Sequence, residues 1–476
     1  MSSLVAGAVD PSMQTTTSTE ALAQLWSTLG QPADALSRVT LTGAAALPSS
    51  FAVNTLAQSA IAASALAAAQ VDTLRTGRKQ TVSVDMRHAA LEFRSERYFR
   101  IDGQLPPEPW DKIAGLYHCG DGRWVRLHTN FPHHRDGVLK LLGCAYDRDA
   151  VAAALGQWKA EAFEEAAAQV GMVVTAARTF GEWDRHPQGI AVAGQPLMTI
   201  ERIGDAPPQP LPAHADGRPL SGVRVLDLTR VIAGPVCGRT LAAHGADVLL
   251  VTGPHLPAIP PLVIDTGRGK RSAQLDLRDA ASAEQLRALL RDADIFVQGY
   301  RPGGLAALEF SPEQAAALRP GIVYVSLCAY GYEGPWANRR GFDSLVQTAS
   351  GFNWAEAEAA GKDKPHPLPA QALDHGAGYL MAAGAMTALA RRMTEGESWH
   401  VRVSLAQTGR WLRSLGRVAN GFDVPDPRYE DVGAYLETTP SGFGTLTAIR
   451  HAGQLSDTPP HWALPAVPLG THPARW

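Results

Sequence analysis

Cysteine is scarce. The chain has four in 476 residues (Cys119, Cys144, Cys237 and Cys328), far apart and with no Cys-x-x-Cys pair. A zinc ribbon and a thioredoxin-type redox site are thereby excluded, and a secreted disulfide framework is not expected. An excess of either charge is also missing: Lys plus Arg number 43 and Asp plus Glu 46, for a formal net charge of −3. Such a balance leaves neither a basic footprint for nucleic acid nor a polybasic membrane anchor. No long hydrophobic run occurs. The most apolar stretch, IAASALAAAQV (61–71), is too short and too rich in alanine to span a bilayer. The opening MSSLVAGAVDPSMQTTTSTE has no positively charged start and no apolar core, so no secretory signal is expected and a cytoplasmic location is. Three catalytic signatures are absent as well. Without G-x-G-x-x-G a nicotinamide dinucleotide site is unsupported, and without H-E-x-x-H or G-x-S-x-G so are a zinc protease and a serine hydrolase. His133-His134, the only adjacent histidine pair, makes a poor metal pair because neighbours on one element point different ways. No metal site is expected.

What is present is an ordinary globular composition, 45% hydrophobic and 19% charged, long enough for two to three domains and a core that needs no disulfides. Residues 1–20 are Ser/Thr-rich and read as a flexible arm. An alanine-rich helix is expected over about 50–70, followed by the strand TVSVD (81–85). DGRWVRLHTN (121–130) alternates like a strand, and 151–171 reads as one helix. Residues 204–220, GDAPPQPLPAHADGRPL, form the clearest linker. After it, GVRVLDLT, ADVLLV, IFVQGY and IVYVSLCAY alternate with helical stretches, which is the pattern of a parallel sheet with crossover helices. Beyond 420 little regular structure is legible. An internal repeat also emerges. The helix from Asn54 leads to Gly77 and Val-x-Val, as the helix from Asp374 leads to Gly396 and Val-x-Val, at an offset of 320 with one residue lost before the glycine. In this register Asn54 stands where the second copy has Asp374, and an amide is neither nucleophile nor base.

Three places suit chemistry, each with a plainer reading beside it. The first strand-to-helix turn of the sheet, LTRVIAGPVCG, offers free N–H groups to a phosphate or carboxylate, or is an ordinary structural turn. Arg268, Lys270 and Arg271 put three cations in four positions of a glycine-flanked loop; they suit a polyphosphate or form a solvated cluster. Asp374 opens a helix among small residues. It reads as a helix cap or as a carboxylate nucleophile, with Gly376 and Gly378 leaving room for a substrate.

The series GVRVLDLTRVIAGPVCGRTLAAHGADVLLV, GRGKRSAQLDLR, ADIFVQGYRPGGLAAL and LRPGIVYVSLCAYGYEGPWANRRGFDSLVQTASGF resembles the family III coenzyme A transferases. That family also holds formyl-, carnitine- and bile-acid-CoA transferases and the α-methylacyl-CoA racemases. The resemblance covers about 222–415. It implies an α/β fold with a Rossmann-like parallel-sheet large domain and a smaller α+β domain. It implies transfer of coenzyme A between an acyl-CoA and a free carboxylic acid. Asp374 would be the nucleophile, passing through an aspartyl anhydride and an aspartyl-CoA thioester. Coenzyme A contacts are implied at Arg230, Val231, Ile232 and Ala233, at Gly269, Lys270 and Arg271, and at Gly299, Tyr300 and Arg301. The cofactor is a substrate here, with none bound permanently, and the implied assembly is a homodimer. Two alternatives follow from the same resemblance: an acyl-CoA racemase and a non-catalytic acyl-CoA-binding homologue. The racemase branch carries a histidine where this chain has Phe342, although His375 neighbours Asp374. Cys328 stands where some members carry a lysine. The order of parts is also unusual. On this reading 1–105 is an arm plus a degenerate copy of part of the large domain, 106–203 is the small-domain-like region, 204–221 the linker and 222–476 the large domain.

Overall fold

The computed structural model describes residues 15–212 and 217–476. The expected arm therefore falls largely outside the described residues, as do 213–216 of the linker. Within the arm, Ser18–Thr28 is a helix. Its signal is local: Thr17 accepts from the Glu20 N–H while the Glu20 carboxylate accepts from that of Thr17, a capping box that the Ser/Thr-rich composition masked.

The centre is a seven-stranded sheet. Its order is Lys270–Gln274, Asp247–Thr252, Arg224–Leu228, Ile295–Gln298, Val323–Cys328, Ser398–Ser404 and Met198–Gly204. All pairs are parallel except the last, which is antiparallel. The central strands are near-continuous apolar runs because helices cover both faces. Met198–Gly204 joins the large sheet just before the linker, so the small-domain-like region ends earlier in space than at residue 203. That region keeps its own three-stranded antiparallel sheet, Gly115–His118, Trp124–Leu127 and Val174–Ala176, with a separate core around Phe163, Val125 and Val138. The single helix expected over 151–171 is two, Arg148–Leu155 and Ala160–Gln169. The break lets the strand-end loop pack close: a Cβ on Gly120 would stand 2.3 Å from the Gly156 carbonyl oxygen.

The internal repeat is real in three dimensions. Val53–Thr76 and Ala372–Thr394 are helices of 24 and 23 residues, and each is followed by a glycine at positive φ, Gly77 and Gly396. Each then runs into a strand whose last residue caps the next helix. Asp85 accepts from the His88 N–H, and Ser404 from that of Gln407. The two long helices pack on each other more extensively than any other pair of described elements. The tail beyond 420 is more regular than its composition suggests. Leu436–Ser441 and Gly444–Ile449 form a hairpin extended by Arg100–Ile101. Gly453–Leu455 pairs with Val82–Asp85, which also pairs in parallel with Val39–Thr42. The remainder of the tail lies along the sheet edge, where the Ser272 carbonyl accepts from the His472 N–H. No described helix is long and apolar enough to cross a membrane.

Candidate active site

Asp374 is the third residue of its helix, and the helix-cap reading is not met: its side chain caps nothing. The cap comes from elsewhere in the chain. Asp343 Oδ2 accepts from the backbone N–H groups of Leu373 and Asp374, at 2.7 and 2.8 Å. Gln347, one turn along the Asp343–Ala349 helix, fixes that carboxylate by donating to it, and also donates to the Ala370 carbonyl while accepting from the Leu368 N–H. The Gly-Phe-Asp…Gln segment is thus a clamp on the start of the Asp374 helix. Satisfying the helix N–H groups from outside leaves the Asp374 carboxylate without a hydrogen bond among the described residues.

That carboxylate is 7% exposed, and its exposure is into two cavities. One of about 300 Å³ and one of about 600 Å³ share Val231, Ile232, Phe342 and Asp374 in their walls. Burial, then the nearby Asp343 and Glu96 carboxylates, push the Asp374 carboxyl well above the usual range. Burial acts on Asp343 in the same direction, opposed by the N–H groups it accepts from. Two like charges this deep do not both ionise freely.

The smaller cavity is the cation-rich one. Arg230, Arg301, Arg339 and Arg340 line it, with Ala233 at the start of the Ala233–Ala243 helix. Gly299 and Tyr300 complete the second strand-end turn on its wall. Val231 holds φ at +76°, a conformation that a β-branched residue adopts only under constraint and that clusters at functional turns. His133 and His134 sit on the same wall, 4.1 Å apart between ring centres. Burial pushes His134 down to about 3, so its imidazole is neutral, and neither ring nitrogen has a partner. Adjacency in sequence had argued only against metal binding and gave no hint of this placement. Cys328 lines the cavity as a neutral thiol, pushed up to about 12 by burial.

The structure brings Arg230–Ala233, Gly299–Arg301 and Asp374 together, but not Gly269, Lys270 and Arg271. The expected polyphosphate loop is instead a buried, ion-paired strand start. Lys270 donates to Asp227 at 2.9 Å and to the Pro235 carbonyl at 2.8 Å, Arg271 pairs with Asp247 at 2.7 Å, and Arg268 pairs with Asp265 at 3.0 Å. Each cation is answered by a carboxylate distant in sequence or hidden in a helix, which a local motif cannot reveal. Lys270 still bears on the site: it ties the sheet to the first turn of the helix that begins at Ala233. Gly269, at φ +80°, admits Trp462, whose ring would stand 2.6 Å from a Cβ there. Nor do Gly376 and Gly378 make room for a substrate. They admit neighbouring elements, a Cβ on Gly378 falling 2.6 Å from the Ala233 carbonyl oxygen, so that the two helices feeding the site can touch.

His375 lines neither cavity. Its Nε2 lies 3.2 Å from Glu96 Oε2, and its ring stacks on Phe93. Where a racemase-type histidine was sought, Phe342 is instead covered by the ring of His128, stacked at 3.7 Å. A buried seam binds the chain's two halves behind the site. Arg239 pairs with Asp265 at 2.9 Å, and Ser95 from the N-terminal half donates to Asp265 at 2.6 Å.

The family model described as CoA-transferase family III matches residues 29–209 and 220–417. An acyl-CoA transferase of Gibberella moniliformis is 29% identical over 68% of this chain and 64% of its own length. A probable fatty acyl-CoA transferase of Mycobacterium tuberculosis, Rv3272, is 30% identical over 46% of this chain and 59% of its own. A crystal structure of Rv3272 aligns with a TM-score of 0.39 at 31% identity, covering 41% of this chain and 56% of that one. The chain thus spans less than two thirds of the length of these relatives.

Proposed function

The chain belongs to CoA-transferase family III, and on that premise we propose that it moves coenzyme A between an acyl-CoA thioester and a free carboxylic acid, with Asp374 as nucleophile. The observation that carries this reading is the Asp374 carboxylate. It is relieved of capping by Asp343 and set where a cation-lined cavity meets a larger one. In the proposed path the Asp374 carboxylate attacks the thioester carbonyl. The C–S bond breaks, and the thiolate leaves with the electron pair, giving a mixed anhydride. The thiolate then attacks the aspartyl carbonyl, releasing the donor acid as carboxylate and forming the aspartyl-CoA thioester. The acceptor carboxylate expels the thiolate to form a second anhydride. The thiolate finally attacks the acceptor acyl carbon and restores the Asp374 carboxylate. No net proton is taken up or lost.

The four arginines of the smaller cavity suit the phosphates of coenzyme A. The elevated proton affinity of Asp374 marks a carboxylate poorly solvated and hence more nucleophilic once ionised. The test is incubation with a panel of acyl-CoAs followed by hydroxylamine and peptide mass analysis. The expected result is a hydroxamate on the Asp374 peptide, absent from Asp374→Ala. Transfer that persists in Asp374→Ala would sink the mechanism.

A further inference from the structure

The larger cavity has a chemistry of its own. Its wall opposite Asp374 comes from the N-terminal half: Arg97 from the short helix Ser95–Tyr98, and the proline-rich stretch from Leu105 to Trp110. Ile232, Ile259, Pro261 and Leu262 from the sheet side face that stretch. Leu105 is 70% exposed and Trp110 38%. Apolar side chains left open beside a cavity mark a surface meant for an apolar ligand. At about 600 Å³ the chamber falls in the range of small-molecule sites and far exceeds the needs of a one- or two-carbon acyl group.

Arg97 is the only cationic side chain in this wall. Among the described residues its guanidinium makes no hydrogen bond, and its nearest ion-pair contact is 3.9 Å, to Glu96. Both other carboxylates of the wall are engaged: Glu96 with His375, and Glu108 with the Trp110 N–H. Arg97 and Asp374 face the same chamber without an ion pair between them, so a group bound at Arg97 is not the one reacting at Asp374.

Building on the transferase reading, we propose that this chamber takes the acyl group of a dicarboxylic acid. One carboxyl reacts at Asp374, the apolar chain lies along Leu105–Trp110, and the second carboxylate is held in the guanidinium fork of Arg97. A planar fork matches one carboxylate with two parallel bonds. The coenzyme phosphates already have four arginines in the other cavity, which leaves Arg97 to the acid.

The test compares α,ω-dicarboxylates of four to eight carbons with the monocarboxylates of equal length, as acceptors, in the full-length protein and in Arg97→Met. The expected result is that wild type favours the diacids and that the diacid-to-monoacid ratio of kcat/KM falls about 10- to 100-fold in the variant. Arg97→Lys, which keeps the charge and loses the fork, should fall between, and it carries the comparison if Arg97→Met loses its thermal transition. An unchanged ratio, or a wild-type preference for monoacids, overturns the proposal. Calorimetric titration of the same free diacids, without coenzyme A, separates this proposal from the transferase reading. Diacid binding that needs Arg97, with no turnover on any donor, would support the chamber and sink the transferase reading. Diacid binding that is absent or equal in both proteins would overturn the chamber.

Discussion

The Asn54 and Asp374 helices are two renderings of one segment. Length, alanine content, the terminating glycine and the strand-to-cap sequel agree, and the difference lies in what the residue at the start must satisfy. Asn54 Oδ1 accepts from the backbone N–H groups of Ala46 and Leu47, and its amide donates to the Leu47 carbonyl. Every polar atom is spent on the preceding loop. Asp374 spends its backbone N–H on Asp343 and leaves its carboxylate open to two cavities. The same helix start therefore serves as a structural knot in one copy and a candidate reactive centre in the other. The switch lies less in the one-atom change from amide to acid than in who supplies the cap.

The largest effect expected from breaking this contrast is at Asp374. Replacing it by Ala should lower transfer by at least about 1,000-fold with an unchanged far-ultraviolet spectrum, read by chromatography of the acyl-CoA products. Next is the external cap. Asp343→Ala removes the acceptor for two helix N–H groups, so kcat should fall and stability drop by about 1–2 kcal/mol in urea titration. Asp343→Asn, which keeps an acceptor but no charge, sharpens the test. Because Asp374 must be ionised to attack, wild-type activity should decline with falling pH through a value above the usual carboxylate range. Removing the like charge should move that limb to lower pH, and a limb that stays put would show that Asp343 does not act on Asp374.

The mirror experiment is Asn54→Asp. A carboxylate cannot donate to the Leu47 carbonyl, so this variant should lose about 1–3 kcal/mol of stability and gain no second hydroxylamine-sensitive peptide. The smallest effect is on stability at Asp374 itself. Its folded carboxyl binds a proton more tightly than the unfolded one, so wild-type stability from this group is full at low pH and falls as pH rises past the usual carboxylate value. Asp374→Asn should therefore melt higher than wild type at pH 8, by about 2–4 °C, with the gain vanishing near pH 4.

The two strand-end turns at Arg230–Ala233 and Gly299–Arg301 were legible because alternating strands and helices fix where turns of a parallel sheet collect. Asp374 was legible as a residue, but not its freedom from capping, which depends on Asp343 being folded against it from 31 positions away. Lys270 misled because sequence displays a cation without its counter-ion, and Asp227 lies 43 positions upstream. Arg97 and the Glu96–His375 contact, 279 positions apart, gave no local signal at all. The hairpin over 436–449 was hidden by the Thr, Pro and Gly residues that also compose loops.

The pairing of the two long helices has a consequence for the order of synthesis. Nearly the whole Asn54 helix is buried, and much of what covers it emerges from the ribosome about 320 residues later. At cellular translation rates that is a wait of roughly 15–65 s. The sheet beside it is held open as well, since Val82–Asp85 takes its second partner from Gly453–Leu455. During that interval the nascent chain carries an alanine-rich apolar rod with nothing native to lie against. Its natural protection is a chaperone that grips such a helix and releases it only when the second copy arrives.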